Sequence, residues 1–176
     1  MEKCNTGHMD QVGYDTYCKL LDEVVKEIKG IEIEEEIDVT IDIDVSSYIP
    51  ETYIEDNSQK IEIYQNIALC RTDEDIKNEI LNIEDRFGKM PKEVNNLFEI
   101  ARIKGLCKNA GVTKIMQRQN KIVFNFDPEH FNMDLDKLVK QYKNNLKFSP
   151  GKIPYITYTL NNKDDIIKEI IEFLKN

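Results

Sequence analysis

Nowhere in the 176 residues is there an apolar run of about 18 positions, the length needed to cross a bilayer. No apolar leader is expected either, because Glu2, Lys3, Asp10 and Asp15 interrupt the first twenty residues. The expectation is a cytoplasmic protein. Glycine is scarce. None of the seven glycines stands in a loop that ends in Lys and Ser or Thr, the arrangement whose backbone amides cradle phosphates. The chain is therefore expected neither to bind nor to hydrolyse ATP.

Metal and acid-base chemistry lack their residues as well. The two histidines, His8 and His130, have no second His or Cys at ligand spacing. The four cysteines, Cys4, Cys18, Cys70 and Cys107, are too far apart for a zinc knuckle or a redox dithiol, and read as reduced thiols packed like small hydrophobes. Carboxylates are plentiful, yet Asp38, Asp42 and Asp44 sit where the polar side of a strand needs them. No residue set supports a hydrolase or a transferase.

What is present suits a folded domain that works through its surfaces. Hydrophobic residues make up 40% of the chain, enough for one core, so the 32% charged fraction and net charge of −9 do not signal disorder. The charge is uneven. Residues 1–60 hold 16 acids against 5 bases, whereas residues 101–152 hold 11 bases against 4 acids, a local excess able to attract phosphate.

Periodicity outlines an α+β fold. Val12, Tyr17, Leu20, Leu21, Val24, Val25 and Ile28 recur at helical spacing, giving a helix over 10–29 that Gly30 stops. After the Glu34–Glu36 connector, Ile37, Val39, Ile41, Ile43 and Val45 alternate with polar residues as a strand with one wet face. Pro50 then opens a short turn or helix near Glu51 to Ile54, and Ser58 is placed to cap a helix reaching Cys70 with Ile61, Tyr64, Ile67 and Ala68 inward. Thr72 and Asp75 form a capping box for a helix that buries Ile76, Ile80, Ile83 and Phe87 and ends at Gly88. Pro91 starts a third helix, apolar on two sides, that runs to Gly111.

Beyond Gly111 the order is β-β-α-β-α, a layer of helices on a small sheet. Strands over 112–117 and 121–126 meet at a Gln119-Asn120 turn, with Ile122, Phe124 and Phe126 on one face. A helix over 134–146 presents Leu135, Leu138, Val139 and Tyr142, a strand covers Tyr155–Leu160, and Asn162 caps the final helix. Lys137, Lys140, Lys143 and Lys147 fall at helical spacing as a stripe along and just past that helix, and Tyr142 and Phe148 are assigned to the core. That stripe, within the basic 101–152 segment, offers weak nucleic-acid contact and the alternative reading of an independent nucleic-acid-binding module.

Three stretches carry a family resemblance. Gly7-His8-Met9 with Val12-Gly13-Tyr14-Asp15 and Tyr17-Cys18-Lys19-Leu20-Leu21 resembles the segment beyond the motor in bacterial transcription-repair-coupling factors. Ile49-Pro50-Glu51 with Tyr53-Ile54, Gln59-Lys60 and Ile63-Tyr64 is similar to that family's following turn and helix. Asp85-Arg86-Phe87-Gly88 with Pro91 and Ile100-Ala101-Arg102 matches its DRFG run.

The resemblance implies a fragment of an ATP-driven DNA translocase that dislodges stalled RNA polymerase and recruits the UvrA damage sensor. ATP and magnesium belong to the full-length parent, and no cofactor is expected here. DNA would be reached only through the absent motor, and no membrane is involved. Residues 1–30 become a linker helix after that motor, and residues 31–176 a C-terminal regulatory domain. This domain is expected to dock on the parent's UvrB-like module, cover the surface UvrA needs and repress the motor until polymerase is engaged. Asp75, Glu79, Asn82, Asp85 and Arg86 are the candidate contacts, with Asn82 standing where the family pattern implies an acid.

Overall fold

The computed structural model describes residues 37–176, so the expected helix over 10–29 and the Glu34–Glu36 connector lie outside the described residues. Contacts divide the described chain into two units, one of residues 45–101 and one of residues 37–44 and 102–176.

The first unit holds helices α1 (Asn57–Leu69), α2 (Asp73–Phe87) and α3 (Lys92–Ala110) as far as Ala101. Asp56, not Ser58, caps α1: its carboxylate accepts the Gln59 N–H at 2.9 Å, satisfying one of the orphan amides of the first turn. Ile63 and Ile67 are fully buried, while Ile61 is half exposed and does not face inward. Apolar residues surround α1 on most sides, so helical periodicity alone allows more than one inner face. Burial in the core shared with Ile83 and Leu97 selects the Ile63–Ile67 side.

The capping box of α2 forms as the sequence predicts, with Thr72 and Asp75 exchanging side-chain-to-backbone bonds. Gly88 ends the helix at φ 85°, a left-handed conformation that glycine adopts without a Cβ penalty. The Pro91 carbonyl accepts from Val94 and Asn95 at the start of α3. Ile49, Ile54, Ile76, Ile83, Val94, Leu97 and Phe98 complete the core.

Residues 46–54, which carry part of the family resemblance, have little regular structure and are held by polar contacts instead. Asn96 donates to the Ser46 carbonyl at 2.8 Å, the Ile49 N–H donates to the Tyr64 hydroxyl at 3.0 Å, and the Pro50 carbonyl accepts from Tyr53 and Ile54. These bonds replace the ladder that an irregular backbone lacks.

The second unit is a five-stranded sheet in the order β1-β2-β3-β5-β4, built from β1 (Thr40–Asp42), β2 (Val112–Arg118), β3 (Lys121–Phe126), β4 (Leu146–Ser149) and β5 (Tyr155–Thr159). β1 runs parallel to β2, and the other neighbours are antiparallel. The ladder of β1 is shorter than the expected strand over 37–45, although the predicted alternation of inward and outward residues persists from Ile37 to Val45. Ile115, Phe124 and Ile156 line one fully buried row. Helices α4 (Leu135–Tyr142) and α5 (Ile166–Leu174) supply Leu138, Ile170 and Phe173 to this core, and Phe173 stacks on Phe124 with ring centroids 4.2 Å apart.

Two sequence expectations fail in this unit. The helix expected over 134–146 stops at Tyr142, where Lys143 takes φ 42° and a single 3-10 turn follows. Residues 146–149 then form β4, so the tail is β-β-α-β-β-α. Cross-strand pairing with β5 overrides the helical spacing of the lysines. Phe148 at this edge is 45% exposed and is not a core residue, whereas Tyr142 packs against Tyr158 and Phe173. Leu135 and Val139 are also exposed.

At the other end of β5 lies a buried carboxylate. Glu169 accepts from the Tyr158 hydroxyl at 2.7 Å and from the N–H groups of Asn161 and Asn162 at 3.0 and 2.8 Å, which locks the turn into α5. Each of these three partners donates to it, as a buried acceptor requires. The role is architectural.

Candidate functional site

The five candidate contacts on α2 have different local roles. Asp75 is consumed by the cap. Its carboxylate accepts the N–H groups of Arg71 at 2.9 Å and Thr72 at 3.1 Å, and these two bonds hold it below the usual carboxylate range. Glu79 is half-buried and accepts from Asn66 of α1 at 3.1 Å, so part of its carboxylate is already engaged within the first unit. Arg86 reaches back to Glu62 of α1 at 3.1 Å and lies 5.0 Å from the ring centroid of Phe87.

Asn82 and Asp85 remain exposed on the outer side of α2. The structure adds a residue that sequence reasoning passed over: Leu81, 66% exposed, stands beside them. Its signal was present, because Leu81 falls off the inner stripe of Ile76, Ile80, Ile83 and Phe87. Glu74, Asn78, Leu81 and Asp85, all exposed, follow one another at four- and three-residue spacing and form one outward side. The partners Glu62 and Asn66 had no local signal, since each lies on another helix far along the chain.

Next to this helix the thiol of Cys70 donates to the Asn66 carbonyl at 3.3 Å, and burial, followed by Glu79 and Asp75, pushes it up to about 11. A thiol so raised is a poor nucleophile at neutral pH. Cys107 is buried and its thiol is likewise raised by desolvation. Cys4 and Cys18 lie outside the described residues.

The four lysines of the basic stripe do not share one helix. Lys137 and Lys140 lie exposed on α4, Lys143 sits in the turn after it, and Lys147 is on β4. Among the described residues no helix is long and apolar enough to cross a membrane.

A family profile described as the TRCF domain matches residues 43–138. The chain belongs to the TRCF-domain family. The matched span holds all of α1, α2 and α3 and the whole candidate contact side. Among curated proteins, the transcription-repair-coupling factor of Bacillus subtilis (strain 168) is 39% identical over 118 residues, covering 66% of this chain and 10% of that protein. That of Staphylococcus haemolyticus (strain JCSC1435) is 39% identical over 122 residues, with the same coverage. The chain thus spans about a tenth of the length of the curated relatives it matches. Its fold is that of a crystal structure described as the C-terminal domain of transcription-repair coupling factor, with a TM-score of 0.68 and 24% identity over 78% of this chain and 90% of that chain.

Proposed function

We propose that this TRCF domain is the regulatory C-terminal part of a transcription-repair-coupling DNA translocase. In this reading it docks on the UvrB-like module of its parent, masks the surface that UvrA binds and represses the motor until RNA polymerase is engaged. It performs no chemistry itself.

The observation that carries the reading is the division of labour on α2. Asp75, Glu79 and Arg86 are bonded within the first unit, which fixes the helix, while Asp85 and Asn82 stay exposed beside Leu81. A rigid acidic side with an apolar residue at its middle suits a basic partner surface, because charge complementarity sets register and an anchored apolar side chain supplies contact energy. Family membership supports the context, since the relatives named above are transcription-repair-coupling factors.

The test is a pull-down of this chain against the separately expressed UvrB-like module of the same species. Retention at physiological salt, weakened as ionic strength rises, is the expected result. No retention at any salt concentration, with both proteins folded, would remove the docking reading.

A further inference from the structure

Helices pack on one face of the sheet through the row Ile115, Phe124 and Ile156. Among the described residues, none of the ladder residues on the opposite face is buried. Pairing places Lys114, Asn125, Tyr155 and Ser149 in one line across β2, β3, β5 and β4, and Met116, Val123, Thr157 and Lys147 in the next. A third line brings Arg118 opposite Lys121, beside Thr159, at the end of the β2–β3 hairpin.

The charges on this face are sorted. Its acids, Asp38, Asp42 and Asp44, gather on or beside β1. The ladder residues of β2, β3, β5 and β4 on this face include four cations, Lys114, Arg118, Lys121 and Lys147, and no carboxylate. Arg118 and Lys121 are direct cross-strand partners of like charge, an unfavourable pairing that a bound anion would relieve. From the strand spacing, β2 and β4 are roughly 14 Å apart, and Lys114 and Arg118 roughly 13 Å apart along β2. The cations therefore frame a centre of Met116, Val123, Asn125 and Thr157, with the 39% exposed ring of Tyr155 beside it.

We infer that this open face binds single-stranded nucleic acid, with phosphates on the framing cations and a base on Tyr155. Unpaired bases expose both a stacking surface and hydrogen-bonding edges, which Tyr155 and the Asn125 amide match on neighbouring strands. A duplex presents its phosphates but keeps its bases stacked away from a flat surface. An acidic peptide would satisfy the cations yet leave the ring and amide unused. The site uses none of the α2 residues and stands independently of the docking proposed above.

The experiment is fluorescence anisotropy of the 176-residue chain with a labelled oligo(dT) of about a dozen nucleotides, first at low salt. Saturable binding is expected, with a logarithmic salt slope near −2 to −3, since each of three or four phosphate contacts contributes about −0.7. Lys114→Glu with Lys147→Glu should weaken it about tenfold or more, and Tyr155→Ala about fivefold or more. Lys137→Glu with Lys140→Glu on α4 should change it by less than about twofold, because those lysines lie off this face. Circular dichroism confirms that each variant is folded. Absence of saturable binding, tighter binding of the matching duplex, displacement of the oligonucleotide by an equimolar polyglutamate peptide, or an unchanged folded Lys114→Glu, Lys147→Glu variant would each overturn the assignment.

Discussion

Tyr53 donates its phenolic hydrogen to the carbonyl of Gly88 at 2.6 Å, joining the turn after Pro50 to the turn that ends α2. The Tyr53 ring also lies 6.1 Å from that of Phe87. Two of the stretches that carried the family resemblance are thus in direct contact. In this fold Ile49, Tyr53, Phe87 and Gly88 are architectural, and they fix the end of the helix whose outer side is the candidate contact.

Tyr53→Phe removes that bond and keeps the ring, so it should destabilise the first unit by about 0.5–1.5 kcal/mol in urea unfolding. Burial first, and Glu84 second, raise the Tyr53 pKa above its ordinary 10.0. A raised folded pKa gives stability that is present below the unfolded value and lost as pH climbs through the folded one. The difference between wild type and Tyr53→Phe should therefore narrow above pH 10, and a constant difference through that range would contradict the assignment.

The α2 capping box offers a test with the opposite pH sign. Thr72→Ala should cost about 1 kcal/mol. For Asp75, hydrogen bonds from Arg71 and Thr72 lower the folded pKa, so its contribution is present above the ordinary carboxylate value of 3.8 and lost as pH falls through the folded one. Asp75→Asn should accordingly lower the thermal midpoint at neutral pH and converge with wild type in acid. An equal deficit at every pH would place the effect elsewhere.

Core substitutions should discriminate between neighbouring positions. Ile83 is fully buried and Ile80 only partly so, although the sequence placed both on the inner stripe. Ile83→Ala and Phe98→Ala should each cost about 3–5 kcal/mol, and Ile80→Ala clearly less. Chemical denaturation that ranks Ile80→Ala as the most damaging of the three would mean that α2 is rotated about its axis.

These residues show what could be read in advance. The capping box, Gly88, the Pro91 start, the Gln119-Asn120 turn and the alternating burial from Ile37 to Val45 were legible because each depends on local backbone chemistry. The inner face of α1 was legible in part: Tyr64 and Ile67 do pack inward, but Ile61 was chosen where packing with Ile83 and Leu97 buries Ile63 instead. β4 was hidden for a related reason: pairing with Tyr155–Thr159 is non-local, while the lysines around it have helical spacing. The contact side was half legible. Helical geometry put Asp85 and Asn82 outside, but the bonds that tie Asp75, Glu79 and Arg86 inward include partners on α1.

The outer side of α2 can be tested by Asp85→Arg, which places a cation where a basic partner surface is expected. Asp85 is exposed, and the buried Ile76 and Ile83 lie on the opposite side, so the fold should survive with an unchanged circular dichroism spectrum and a thermal midpoint close to wild type. Removing one member of a charge pair costs about 2–5 kcal/mol when the pair is buried and much less at a rim, and a reversed sign adds repulsion. Capture by the UvrB-like module should therefore drop from partial loss to complete loss, and in the full-length parent UvrA binding should rise. Leu81→Ala tests the apolar part of the same side without altering charge, and should weaken capture while leaving its salt dependence intact. If the parent carrying Asp85→Arg binds UvrA no better than wild type, and capture of the isolated chain is also unchanged, then α2 is not the masking element and the domain docks through another surface.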